Sequence, residues 1–125
     1  MPGFDPLRAT RIVATPSALD ALAPDCVLRI APDEALVLGD AVPAIADAHA
    51  IVVDDRGFSG RWFTCAEFDN HIQPYIEWAM PSDRPCLVQG LVAAVPAKIW
   101  FDGDRILVFC HTAYVHELAE RVGAS

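Results

Sequence analysis

The feature that most constrains the fold is a strand–turn–strand pattern near the C-terminal end. Residues 97–101 and 105–110 are apolar and β-prone, and Asp102-Gly103-Asp104 separates them. An Asp-Gly pair between two such runs is a strong hairpin signal, because both residue types tolerate the backbone angles of a tight turn. A hairpin must bury one face against another layer, so this pattern predicts an antiparallel sheet covered by helices.

Other segments extend the predicted sheet. Each is a short apolar or β-branched run bounded by turn residues, and the predicted strands are residues 26–30, 35–38, 50–54, 61–64 and 86–91. Ala31-Pro32-Asp33-Glu34 predicts a polar turn that closes the first two of these into a hairpin. The run Ile51-Val52-Val53 is compact and β-branched, which is typical of a buried strand.

Helices are predicted in three places. Residues 42–48 are alanine-rich, with Pro43 in the first turn, and residues 112–122 carry an apolar stripe that stops before Gly123. Residues 66–78 also have helical spacing, but Pro74 removes a backbone donor inside them. Either this helix kinks at Pro74 or two shorter helical pieces meet there.

The predicted order is ββ-α-ββ-α-βββ-α, in which hairpins outnumber crossovers. The fold class is therefore α+β: a single small domain with a mostly antiparallel sheet and two or three helices packed on it. A length of 125 residues suits one domain. Residues 1–22 contain three prolines and no sustained period, so they predict an N-terminal arm before a domain spanning residues 23–125.

Charge and hydropathy exclude several classes of partner. The chain has 9 Lys+Arg against 17 Asp+Glu, a formal net charge of −8, and Lys98 is its only lysine. Without clustered cations it is not expected to bind nucleic acid. No apolar run approaches the roughly 18 residues of a membrane span. The first residues lack a signal-peptide pattern, so we expect a cytoplasmic protein with no membrane partner.

No arrangement of reactive side chains predicts catalysis. Cys110 and His111 are neighbours in a strand and should point to opposite faces, and Ser59 lacks the spacing of a nucleophile elbow. Asp54 and Asp55 are interpreted as turn residues. We therefore expect no catalytic, cofactor-binding or metal-binding residues in this chain. The cysteines (Cys26, Cys65, Cys86 and Cys110) form no CxxC pair, which leaves free thiols, two disulfides or a metal site gathered in three dimensions.

Aromatic residues are concentrated in the middle of the chain. Core packing explains many such residues, but Trp and Tyr are also favoured anchors at protein interfaces. The sequence therefore gives four candidates for contact with a partner: Trp62, Phe63, Tyr75 and Trp78.

Several pieces of the chain resemble one protein family. They are the hairpin of residues 28–38, the strand Ile51-Val52-Val53-Asp54, the strand through Gln89 to Pro96, the hairpin that follows it and the Ala113-Tyr114 pair at the last helix. These pieces are similar to the sarcosine oxidase gamma-subunit family, which is related to the folate-binding T protein of glycine cleavage. The resemblance implies a folate-binding T-protein-like fold.

The resemblance also implies a role. In such complexes the larger catalytic subunits hold FAD, FMN, NAD and tetrahydrofolate, and the gamma-type subunit binds no cofactor itself. This chain would then be a small non-catalytic subunit that supports oxidative N-demethylation of a small methylated amine, with one-carbon transfer to tetrahydrofolate. Two alternatives remain open: a stand-alone folate-binding or one-carbon transfer domain, and a self-associating structural domain.

Overall fold

The computed structural model describes residues 3–23 and 27–123 and has an α+β fold. The strands in chain order are β1 (Asp5–Pro6), β2 (Ala9–Val13), β3 (Val27–Ala31), β4 (Glu34–Leu38), β5 (Ile51–Asp55), β6 (Phe58–Thr64), β7 (Cys86–Val92), β8 (Val95–Asp102) and β9 (Arg105–His111). The helices are α1 (Pro16–Asp20), α2 (Cys65–His71) and α3 (Thr112–Val122), and Gln73–Tyr75 forms a short 3-10 helix. The predicted fold class is confirmed.

The chain divides into two compact units. Residues 7–56 form the small unit, and residues 1–6 with 57–125 form the large unit. The small unit contains a sheet of order β3-β4-β2-β5, and the large unit contains one of order β1-β6-β9-β8-β7. Every strand pair in both sheets is antiparallel, as the hairpin pattern predicted. The boundary predicted between residues 22 and 23 falls inside the small unit.

The region predicted as an N-terminal arm contains regular structure. Strand β2 lies between β4 and β5, and its Ile12 is fully buried beside Leu19 of α1. Pro6 and Pro16 flank this strand and do not interrupt it, so its backbone donors remain available for the sheet. Pro6 and Pro16 therefore lie outside β2 and do not prevent a regular strand from forming between them.

Two predictions for the small unit are wrong. Residues 41–50 are mostly irregular, with a bend at Ala46 and a turn at Ala48-His49, instead of a helix at 42–48. The Asp47 carboxylate accepts hydrogen bonds from the backbone N–H groups of His49 and Thr15, and these bonds lower the Asp47 pKa. The bond from His49 also holds the Asp47–His49 turn. Strand β5 is also not buried, because it lies at the edge of its sheet with Ile51 53% exposed.

The large unit packs its helices on one face of its sheet, although residues of the opposite face such as Leu107 and Phe109 are buried as well. Alternate residues of β6, β8 and β9 meet residues of α2 and α3, and the buried set is Phe63, Phe68, Ile72, Val92, Val95, Ala97, Ile99, Phe101, Ile106, Val108, Cys110, Leu118 and Val122. The apolar stripe predicted for the last helix is confirmed, since Leu118 and Val122 are buried. Gly123 follows in the left-handed conformation with φ of 77°, as expected for a helix stop.

The structure decides between the two readings of residues 66–78. Helix α2 ends at His71, and Pro74 lies in the separate 3-10 helix Gln73–Tyr75. Two short helical pieces therefore meet, and no long kinked helix forms. None of the helices within residues 3–23 and 27–123 has the length and apolar character that a membrane crossing needs.

Helix α2 begins with a capping box whose loss should be measurable. The Thr64 hydroxyl accepts from the Glu67 backbone N–H at 3.2 Å, and the Glu67 carboxylate accepts from the Thr64 backbone N–H at 2.9 Å. The bond from the Thr64 backbone N–H to the carboxylate is the largest cause that lowers the pKa of Glu67. We expect Thr64→Ala to lower the free energy of unfolding by about 1 kcal/mol in urea titration, while Thr64→Ser leaves it nearly unchanged. Equal losses in both variants would contradict the capping role.

Candidate partner-binding groove

The large unit carries a groove of about 480 Å³ on its surface. It lies between the segment after α2 and the turn that joins β7 to β8. Its walls are mainly apolar, and its lining residues are Pro74, Tyr75, Glu77, Trp78, Leu91, Ala93 and Ala94. Tyr75 and Leu91 are 41% and 54% exposed. The groove therefore presents aromatic and aliphatic surface at the outside of the unit.

Hydrogen bonds fix both walls of the groove. The Trp78 indole N–H donates to the Leu91 carbonyl at 3.2 Å, and the Ala93 backbone N–H donates to the Tyr75 carbonyl at 3.0 Å. Behind the turn, the Arg121 guanidinium of α3 donates to the Ala93 carbonyl at 2.7 Å. A site held in this way loses little conformational freedom when it binds.

A glycine in β7 permits the close approach of the Trp78 ring. A Cβ atom added at Gly90 would lie 3.0 Å from the indole nitrogen and 3.2 Å from the nearest ring carbon. These distances are too short for a side chain without movement of the ring. Gly90 therefore lets the indole lie directly on the strand, and an alanine there would require the Trp78 ring to move by a few tenths of an ångström.

The turn between β7 and β8 is strained. Only Ala93 and Ala94 separate the two strands, and their φ angles are +50° and +64°. Two consecutive positive φ values are typical of the type I′ hairpin turn, in which Asn-Gly is preferred because alanine in this region costs about 1–2 kcal/mol. The bonds from Ala93 to Tyr75 and Arg121 hold the turn in place. Strain of this kind is found often at functional sites.

The groove carries one acidic group. Glu77 is exposed at its edge, and it takes part in none of the ion pairs that the described residues form. The whole chain has a net charge of −8. The arrangement suits an apolar side chain that enters the groove with a cationic group beside it.

Only part of the predicted interface set reaches the groove. Tyr75 and Trp78 line it, whereas Phe63 is 1% exposed inside the core. Phe63 is therefore corrected to a core residue, because a buried side chain offers no surface to a partner. Trp62 directly precedes Phe63 in β6 and is half-buried. The central carbon of the Arg105 guanidinium lies 4.1 Å from the centre of the Trp62 ring. Adjacent strand residues point to opposite faces, which separates these two aromatics.

Leu91, Glu77 and the alanine turn were missed by the sequence interpretation. Gly90 in the middle of a predicted strand was a usable signal, because an interior glycine often marks close approach of another group. The turn gave no signal, since Ala93 and Ala94 are not turn-forming residues.

The reactive side chains considered earlier lie apart from the groove. Cys110 is buried while its neighbour His111 is exposed, and the Ser59 hydroxyl lies 2.9 Å from the Thr112 hydroxyl. Within the described ranges no three His, Cys, Asp or Glu side chains gather in a way that could hold a metal ion. Cys65, Cys86 and Cys110 are free thiols, and Cys26 lies outside the described residues.

Comparisons with protein-family models, curated proteins and solved structures found no match to this chain. The resemblance to the sarcosine oxidase gamma-subunit family therefore stays a prediction from the sequence.

Relief of strain in the alanine turn should stabilise the protein. We expect Ala94→Gly to raise the free energy of unfolding by roughly 0.5–1 kcal/mol, because glycine avoids most of the left-handed penalty but adds freedom to the unfolded chain. Urea titration measures this change. Ala113→Gly, in the exposed first turn of α3, is the matched control and should destabilise. Destabilisation by Ala94→Gly would show that the turn is not strained.

The two thiols Cys65 and Cys110 should differ strongly in reactivity. Burial raises the pKa of Cys110 to about 11, and Lys98 opposes this only in part, whereas Cys65 is exposed. Because the thiolate is the reactive form, a brief treatment with an alkylating reagent at mildly alkaline pH should label Cys65 and spare Cys110. Peptide mass mapping locates the label, and labelling in denaturant should remove the difference. Rapid native labelling of Cys110 would contradict the assignment.

Proposed function

We propose that this chain is a small non-catalytic subunit of a hetero-oligomeric amine oxidoreductase that resembles sarcosine oxidase. In this proposal it supports oxidative N-demethylation of a small methylated amine, with one-carbon transfer to tetrahydrofolate. FAD, FMN, NAD and tetrahydrofolate would be bound by the larger subunits. The resemblance in sequence is the reason for proposing this type of enzyme complex. The groove around Tyr75 and Trp78 is the observation that supports a binding role.

The groove has the properties of an anchor site for a protein partner. Tyr and Trp supply large contact areas with few rotatable bonds, and they are enriched among the residues that dominate binding energy. Here Trp78 is fixed by its bond to Leu91, while the Tyr75 and Leu91 side chains remain exposed. A partner that covers them would bury apolar area at little entropic cost. Glu77 selects for a partner segment with Lys or Arg next to its apolar anchor.

The proposed location is the cytoplasm. The described cysteines are free thiols, one of them exposed at Cys65. Free thiols persist in a reducing compartment, where glutathione and thioredoxin oppose disulfide formation.

A matched pair of tyrosine variants tests the subunit proposal. The chain is co-expressed with the large subunits of a flavin- and folate-dependent amine oxidoreductase of the sarcosine oxidase type, and the affinity of the purified components is measured. Tyr75 and Tyr114 are both 41% exposed, but only Tyr75 lines the groove. Tyr75→Ala should weaken binding about tenfold or more, while Tyr114→Ala should bind as the wild type does.

Two results would contradict the proposal. The first is a chain that stays folded, monodisperse and unbound when these subunits are present. The second is a complex that Tyr75→Ala and Tyr114→Ala weaken equally, since binding would then not depend on the groove. Circular dichroism of each variant confirms that the fold is retained before affinities are compared.

A stand-alone folate-binding or one-carbon transfer domain is the second candidate. The observation in its favour is the groove volume of about 480 Å³, which lies within the range of small-molecule sites. A ligand that binds the folded chain raises its melting temperature. Tetrahydrofolate should therefore raise the melting temperature of the isolated chain if this candidate is correct. No shift at saturating ligand would exclude it.

A further inference from the structure

The four edge strands of the two sheets are β1, β7, β3 and β5, and three of them carry features that discourage further pairing. An unblocked edge exposes backbone N–H and C=O groups that can pair with another strand. Strand β1 has only two residues and one is Pro6. Strand β3 has a register shift between Arg29 and Ala31. On β7 the Leu91 carbonyl already accepts a hydrogen bond from the Trp78 indole N–H.

Strand β5 is longer than β1 and more regular than β3, and its two charged residues, Asp54 and Asp55, lie together at its C-terminal end. Its residues Ile51–Asp55 include no proline, glycine or basic side chain, and it pairs regularly with β2 on one side. Ile51, Val52 and Val53 are 53%, 44% and 40% exposed. Since consecutive strand residues point to opposite faces, apolar surface is accessible on both faces of this edge. β-Branched residues are also those that pair best in sheets.

We propose that a second copy of this chain pairs with β5 in antiparallel orientation about a twofold axis at Val52. In this register Val52 lies opposite its own equivalent, and Ile51 lies opposite Val53 of the other copy. Ala50 lies opposite Asp54 of the other copy, and His49 lies opposite Asp55. Apolar side chains then meet apolar side chains, and no two carboxylates face each other.

Other registers are less complementary. An axis at Val53 places Asp54 opposite Val52 and Asp55 opposite Ile51, so the apolar side chains lose their apolar neighbours. A parallel pairing in register places each Asp54 beside its equivalent, which is unfavourable because like charges directly opposite each other repel. The Val52 axis avoids both problems, and a twofold arrangement closes at two copies.

The expected association is weak and reversible. A five-residue strand pair alone covers less than the roughly 1,000 Å² expected of a stable interface. The dimer should therefore form at high protein concentration and dissociate on dilution. Because β5 belongs to the small unit and the groove to the large unit, the two surfaces can be tested independently.

Sedimentation equilibrium over a wide range of concentration tests the proposal. The apparent mass should rise from 13.6 kDa towards twice that value. Val52→Lys places two cations opposite each other at the axis and should keep the protein monomeric throughout. Val42→Lys adds the same charge at a residue 52% exposed outside the strand, and it should associate like the wild type.

Hydrogen exchange on the wild type gives a test that needs no substitution. Within residues 51–55, the alternate amides that point away from β2 should exchange more slowly at high concentration than at low concentration, while amides of the exposed first turn of α3 should not change. A protein that stays monomeric at all concentrations would overturn the proposal. A dimer that survives Val52→Lys, or one without added protection in β5, would overturn it as well, because the interface would lie elsewhere.

Discussion

Burial of one row of side chains beneath α2 and α3 is the constraint on which the large unit depends. In β8 the row is Val95, Ala97, Ile99 and Phe101, and alternate residues of β9 continue it. Phe101 meets Phe68 of α2 edge-on, with ring centres 5.7 Å apart. Since a shift of one residue would turn the whole row to the opposite face of the sheet, away from α2 and α3, this burial fixes the register of the β8–β9 hairpin.

The groove follows from the register of the neighbouring pair β7–β8, whose strand β8 carries the same buried row. Once β7 and β8 are aligned, only Ala93 and Ala94 are left to reverse the chain, and the turn must adopt two positive φ angles. The same alignment places Gly90 where Trp78 can lie against the strand. The 3-10 helix then brings Tyr75 close enough to bond with Ala93. The alignment of β7 with β8 thus underlies the strained turn, the contact of Trp78 with Gly90 and the exposed surface around Tyr75. The proposed contact with a larger subunit would involve all three.

The sequence interpretation succeeded where the signals are local. The hairpin around Gly103, the last helix with its Gly123 stop and the antiparallel character of the sheets were all predicted. It failed where the outcome depended on distant partners. Ile51-Val52-Val53 is apolar enough for a buried strand, but nothing within the run shows that it lies at an edge. Phe63 and Tyr75 are both aromatic, and only the surrounding packing separates a core residue from an exposed one.

The sequence by itself determined the strands of the C-terminal region, the end of α3 and the acidic character of the surface. These features arise from side-chain periodicity, glycine conformation and ionisation, which act within a few residues or by simple addition of charge. Tertiary structure alone decided the division into two units, the central place of β2 in its sheet and the meeting of Trp78 with Gly90. Each of these depends on which distant segments pack together, and that choice is made by the summed burial of the whole chain.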